Sequence, residues 1–127
     1  TYNHRTTTDG ILNKYIPGDY EFDLPQGFRS KLESRDFGEY ADFDGKLPVC
    51  ILSANHTSGG NSGSPALNSK GELIGLNFDR VWEGTMSDFY FTPERCRNIM
   101  VDVRYIMWVV DKYAGASRLI KEMKFAN

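Results

Sequence analysis

The sequence predicts a mainly β fold closed by a C-terminal helix. Two short apolar runs of strand type, at 48–53 and 72–78, are bounded by Gly, Asn, Asp and Ser turn residues. A loop of small residues from Asn55 to Pro65 separates them. Later in the chain Ile99, Val103, Ile106 and Val110 recur at spacings of three and four, the period of a helix. Together these suggest a small antiparallel β unit followed by a helix.

Composition narrows the class. A chain of 127 residues is one domain. We divide it into a connecting segment at 1–46, the strands and their loop at 47–98, and C-terminal helices at 99–127. Its 15 basic and 17 acidic residues leave a net charge of −2, against the basic excess of a nucleic-acid binder. With 40% hydrophobic and 25% charged residues it is globular rather than disordered. The longest apolar run, 105–110, is far shorter than a membrane span. The chain opens at Thr1 in polar sequence, with no initiating Met and no signal-peptide pattern, and reads as a piece of something longer.

In chain order, Thr6-Thr7-Thr8-Asp9-Gly10 reads as a turn or loop. Tyr20, Phe22 and Leu24 alternate with Glu21 and Asp23, which predicts a short strand after the Pro17-Gly18 turn. That alternation also explains Asp19, Glu21 and Asp23 better than a calcium site does. Residues 28–40 suit one or two helical turns, and Asp44-Gly45 marks a turn. Asn68-Ser69-Lys70-Gly71 reads as a hairpin turn between strands near Ala66 and at 72–78. Trp82-Glu83-Gly84 opens a connection, and 88–92 reads as a further strand. The helix from Ile99 gathers Tyr105, Met107, Trp108 and Tyr113 around its apolar face, and these aromatics read as core. Ala114-Gly115-Ala116 ends it, Ser117 caps a short last helix through Met123, and 121–124 is a solvated face.

Cys50 and Cys96 leave open a disulfide or two buried thiols. Neither cysteine and neither histidine, His4 or His56, has metal-ligand spacing, so no metal and no cofactor is implied. Asn55-His56-Thr57 fits the glycosylation triplet, a pattern that arises often by chance.

The chemistry concentrates in Gly59-Gly60-Asn61-Ser62-Gly63-Ser64-Pro65. Glycines let the backbone turn tightly and aim its N–H groups at a bound atom. An acyl-transfer serine needs that arrangement, because its oxygen attacks a carbonyl and backbone donors must meet the developing oxyanion. Ser62 is the candidate nucleophile, and the donors are the N–H groups of Ser62 and Gly60. Losing one such donor typically costs about 3 kcal/mol of transition-state stabilisation. A plain Gly/Ser hairpin loop is the alternative reading of the same residues.

The block resembles the Gly-Asn-Ser-Gly-Ser-Pro signature of chymotrypsin-fold serine peptidases. With Gly71-Glu72-Leu73-Ile74-Gly75-Leu76-Asn77-Phe78-Asp79-Arg80, Trp82-Glu83-Gly84, Val101-Asp102-Val103-Arg104-Tyr105 and Asp111-Lys112-Tyr113-Ala114-Gly115-Ala116, the chain resembles the bacterial dipeptidyl peptidases of serine peptidase family forty-six. The match is clearest from Asn55 to Met123 and looser back to Thr1. The resemblance implies the second β-barrel of a chymotrypsin-like double barrel with the terminal helix, that is, the C-terminal half of the peptidase domain. It also implies a homodimeric enzyme of the periplasm or cell surface, acting on peptides with a free N-terminus.

The resemblance also implies a specificity. Arg80 stands where members preferring acidic residues carry arginine and members preferring apolar ones carry glycine. Phe78 matches the position that favours an apolar residue at P2. Physically, an arginine fork suits a carboxylate. Strand alternation puts Phe78 and Arg80 on one face and Asp79 on the other. A surface Arg80 paired with Asp79 or Glu83 is the plainer reading. Asp79 is carried as a substrate-binding candidate that either orients Arg80 or meets the substrate amine.

A serine nucleophile needs a base and an orienting carboxylate. Neither histidine is assigned to that role, since the family's histidine and aspartate lie far upstream of this segment. The chain alone is therefore expected to be inert. Two rivals stand beside the dipeptidyl peptidase: a glutamyl endopeptidase of chymotrypsin fold, and a non-catalytic peptide-binding or dimerisation module.

Overall fold

The computed structural model describes residues 3–90, 92 and 95–126, apart from the side chains of 86–88. Five strands form one sheet: β1 (Arg5–Thr7), β2 (Pro48–Ser53), β3 (Pro65–Leu67), β4 (Leu73–Arg80) and β5 (Asn98–Asp102), in the order β1-β2-β5-β4-β3. The pairs β2–β5, β4–β5 and β3–β4 are antiparallel. Helices are α1 (Thr8–Lys14), α2 (Gln26–Glu33), α3 (Val103–Trp108) and α4 (Ser117–Lys121). The mainly β expectation holds as an antiparallel sheet with helices. By its contacts the chain divides into two units, Thr1–Arg5 with Cys50–Val103 and Thr6–Val49 with Arg104–Asn127.

In the first unit the sequence signals act locally. The apolar run at 48–53 becomes β2, and the hairpin turn closes where Gly71, at φ 80°, donates its N–H to the Asn68 carbonyl at 3.0 Å. Pro65 is tolerated because it opens β3, where a missing N–H costs least. Met100, fully buried on β5, packs against Gly75 of β4. A Cβ on Gly75 would lie 2.5 Å from the Val101 carbonyl oxygen and 2.8 Å from Met100 Sδ. Glycine is required there by close approach rather than by turn geometry. Cys50 and Cys96 are not joined in a disulfide, and Cys96 Sγ accepts the Thr92 N–H at 3.4 Å.

The second unit is built around Trp108, which is fully buried. Phe28 and Phe37 meet its ring edge-on at 6.1 and 6.0 Å, and Tyr105 stacks on it at 6.3 Å. Its indole N–H donates to the Asp36 carbonyl at 2.9 Å, which satisfies the polar atom of the buried ring. Leu32, Leu47 and Tyr40 complete that core. The Asp44-Gly45 turn forms, with Gly45 at φ 74° and its N–H donating to Asp42 O at 2.8 Å.

Several expectations are corrected. Residues 20–24 form no strand. Asp19 Oδ1 accepts the N–H groups of Glu21 and Phe22 at 2.8 and 3.0 Å, and this side-chain turn outcompetes extension. Thr6–Gly10 is not a loop but the end of β1 and the start of α1, anchored where the Thr8 N–H donates to Leu47 O at 3.1 Å. Of the strand expected at 88–92, Asp88 instead closes a 3₁₀ helix begun at Trp82, and Phe91 lies outside the described residues. The helix begins at Val103, not Ile99. Ile99, Met100 and Val101 alternate in burial along β5, and β2 and β4 flank it on both sides, so the ladder takes their backbone groups. After Trp108 the helix widens to π geometry over Val109–Tyr113, with the Ala114 N–H donating back to Val109 O at 2.8 Å. Ser117 is not a cap. It is the first residue of α4, and its hydroxyl donates to Asp111 Oδ1 at 2.6 Å.

Asp111 Oδ2 also accepts the Tyr40 hydroxyl at 2.9 Å. Burial, then the bond to Asp111, pushes the Tyr40 phenol up to about 12. The hydroxyls of Ser117 and Tyr40 hold the Asp111 carboxyl below its ordinary 3.8. The raised phenol adds stability below its ordinary pKa of 10 that is lost as pH rises through about 12. The lowered carboxyl adds stability above 3.8 that is lost as pH falls through its folded value. An ultraviolet titration of the native protein should therefore contain a phenol ionising near 12, and that component should be missing from Tyr40→Phe.

Gly75→Ala is expected to cost about 2 kcal/mol or more through overpacking, read as a lower urea midpoint. Gly10→Ala in α1, with nothing within 4 Å of the added carbon, should leave stability unchanged or raise it by about 0.5–1 kcal/mol.

Candidate active site

The small-residue loop leads into β3 and is held largely by itself. The Ser58 N–H donates to Asn61 Oδ1 at 2.7 Å, the Asn61 N–H to Ser58 O at 3.3 Å, and the Ser64 N–H to Asn61 O at 2.9 Å. Two backbone bonds then fasten the loop to β4. The Gly63 N–H donates to Asn77 O at 2.7 Å, and the Asn77 N–H donates to Ser64 O at 2.9 Å. Gly60 and Gly63 sit at φ 91° and 83°, a backbone region that favours glycine. Among the described residues, the N–H groups of Gly60 and Ser62 donate to no protein acceptor, although those of Asn61, Gly63 and Ser64 all do.

Beside the loop is a pocket of about 140 Å³ bordered by Thr57, Ser62, Asn77, Phe78, Asp79 and Arg80, among others. That volume suits one side chain rather than a drug-sized ligand. Ser62 is exposed and Arg80 half-buried. An Arg80 guanidinium N–H donates to Thr57 O at 3.5 Å. All the residues carried forward from the sequence except Gly60 border this pocket, and Gly60 lies in the same loop.

One detail of the strand reading is corrected. Strict alternation sent Asp79 to the face opposite Phe78 and Arg80, yet all three border the pocket. The cause is a bulge: Asn77 pairs with Met100 and Asp79 with Ile99, so Phe78 is the extra residue. The Asp79 carboxylate accepts the backbone N–H of Arg80 at 2.8 Å, which fixes the strand end that carries the guanidinium.

The pocket also contains residues that sequence reasoning missed. Asn77 and Asn98 are 7% and 1% exposed, and both border it. Asn98 Nδ2 donates to Asn77 Oδ1, and Asn77 Nδ2 donates to Ser64 Oγ at 2.9 Å and Ser64 O at 3.2 Å. The signal for Asn77 was an amide in the middle of an otherwise apolar strand run, a place asparagine avoids without a partner. Asn98 lay at the edge of the segment misread as helix. His56 is exposed and does not border the pocket.

An exposed Ser62 and a cationic Arg80 border one cavity of side-chain size, and the loop that carries Ser62 holds two backbone donors without protein acceptors. That set suits a peptidase, and comparison with known proteins agrees. The Peptidase S46 model matches residues 1–125. The chain belongs to the Peptidase S46 family.

An Asp/Glu-specific dipeptidyl-peptidase of Capnocytophaga gingivalis is 62% identical over 124 residues, covering 98% of this chain and 17% of that protein. One of the same name from Flavobacterium psychrophilum is 58% identical over 126 residues, covering 99% and 18%. The crystal structure of Porphyromonas endodontalis DPP11 in complex with dipeptide Arg-Asp superposes with a TM-score of 0.92 at 42% identity, covering 98% of this chain and 18% of that one. The chain thus spans about a sixth of the length of these relatives.

Proposed function

We propose that this chain is the nucleophile-bearing C-terminal part of a serine dipeptidyl peptidase that releases N-terminal dipeptides after Asp or Glu. The observation that carries the reading is the single pocket bordered by both Ser62 and Arg80. Ser62 Oγ attacks the scissile carbonyl and forms the acyl-enzyme, and the Gly60 and Ser62 N–H groups receive the oxyanion. Their lack of protein acceptors supports this role.

Arg80 pairs with the carboxylate at P1 through charge-assisted hydrogen bonds, which a guanidinium makes at any physiological pH. Phe78, 45% exposed, offers its ring to an apolar residue at P2. Asp79 borders the same pocket and binds substrate or holds Arg80 in place. The dipeptide in the related complex, Arg-Asp, carries its acidic residue second, where this reading puts P1.

The base and its carboxylate come from outside this segment, in the first barrel of a chymotrypsin-like double barrel of which this chain supplies the second. The segment alone is therefore inert. The whole enzyme is a homodimer of the periplasm or cell surface and needs neither metal nor cofactor.

In the full-length enzyme, Ser62→Ala should lower kcat by about 10⁴-fold or more on a Glu-P1 dipeptidyl substrate. Retained activity would remove Ser62 as nucleophile. Blocking the peptide's amino end should abolish cleavage, and an enzyme that still cuts would be an endopeptidase. Arg80→Gly should exchange acidic for apolar P1 preference, read in kcat/KM for matched Glu and Leu substrates. An unaltered ratio would take Arg80 out of the pocket.

A further inference from the structure

The part of the nucleophile loop next to Ser62 is fastened to the specificity strand through one residue, Asn77. Its backbone makes both of the bonds that join Gly63 and Ser64 to β4. Its carboxamide adds two more, to Ser64 Oγ and Ser64 O. An amide can be flipped, so its donor end needs to be told apart from its acceptor end. Asn98 does this by donating Nδ2 to Asn77 Oδ1, and its own Oδ1 accepts the Thr57 hydroxyl at 3.5 Å. Both amides are buried, where an unmade hydrogen bond is costly and a wrongly oriented one is excluded. Asn77 lies three residues before Arg80, and Ser64 two residues after Ser62. The same amide therefore stands between the two functional ends of the pocket.

We propose that Asn77 is a positioning residue, oriented by Asn98, that holds Ser64 so that the Ser62 hydroxyl and the Gly60 and Ser62 N–H groups converge on one substrate carbonyl. This rests on the reading of Ser62 as nucleophile. Asn77 touches no reacting atom. Its contribution should appear in the acylation step and not in the choice of P1 residue, which belongs to Arg80.

The test is Asn77→Asp in the full-length enzyme. The substitution keeps the shape and the oxygen that accepts from Asn98, and it removes only the donor to Ser64. At neutral pH, kcat on a Glu-P1 dipeptidyl substrate should fall about 10- to 100-fold, with KM within about threefold and the Glu-to-Leu preference unchanged. The pH profile supplies a signature that a loss of packing would not. When protonated, the new carboxyl regains an O–H that can donate to Ser64 Oγ. The ratio of variant to wild-type kcat should therefore climb as pH falls through that carboxyl's pKa, which burial places above the usual 3.9 or so. Asp79 and Arg80, the charged groups bordering the pocket, are common to both enzymes and cancel in the ratio.

Wild-type kcat, a loss confined to KM, or a flat ratio across pH would each overturn the proposal. Ser64→Ala, which deletes the hydroxyl acceptor without burying a charge, should lower kcat about two- to tenfold at constant KM, and no change would also overturn it. Ser62→Ala, measured beside them, separates the two failures. If it stays active, the nucleophile reading falls and this proposal with it. If it is dead while Asn77→Asp is normal, only the positioning role falls.

Discussion

The site depends on the short extension of the β3–β4 ladder beyond Pro65. The register pairs Pro65 with Leu76 and Ala66 with Gly75, and one step further the chain is no longer a strand. There Asn77 takes over, accepting from the Gly63 N–H and donating to the Ser64 carbonyl. A proline at 65 donates nothing, so the bonds on either side of it carry the junction. Without them the loop at 58–64 would keep only its own internal bonds and the Asn77 side-chain bonds to Ser64, and its position against β4 would be poorly specified. A sheet is rigid and a glycine loop is not, and this junction lends the loop the precision of the sheet.

The same junction explains why the loop's donors divide into two sets. Asn61, Gly63 and Ser64 spend their N–H groups on structure, and Gly60 and Ser62 do not. Backbone donors normally find acceptors when buried, and these two can stay open because the loop is exposed to water around Gly60 and Ser62. The positive φ values at Gly60 and Gly63 permit the chain to turn twice within four residues and keep both groups directed out of the internal hydrogen-bond pattern. A side chain at either position would meet no neighbour, so the restriction is conformational and not one of space.

Much of this was legible in the sequence where local chemistry decides. The strand at 48–53, the 68–71 turn, the glycine loop and the grouping of Phe78 and Arg80 all follow from residues close together in the chain. Errors arose where distant partners decide. Ile99 falls at helical spacing from Val103, Ile106 and Val110 yet sits in an apolar run that suits a strand, and only the presence of β2 and β4 on both sides resolves the ambiguity. Tyr20, Phe22 and Leu24 show the converse case, an alternating pattern with no neighbouring strand to pair with and an Asp19 side chain ready to close a turn. The bulge at Phe78 was invisible because bulges are features of paired strands, not of sequence.

Asn77 and Asn98 illustrate a more general limit. A buried amide is stabilising only when its partners are in place, so its meaning is a property of the pair and not of either residue. Here the partners lie on β4, on β5 and in the loop, and the Asn77–Asn98 bond joins residues 21 positions apart. An apolar replacement of one member leaves one end of the other's buried amide unmet. Replacing both could restore stability but would leave Ser64 without its side-chain donor. Stability and placement of the loop thus make different demands on the same two residues. An amide pair meets both demands together, because it fills the buried space and keeps a donor aimed at the loop.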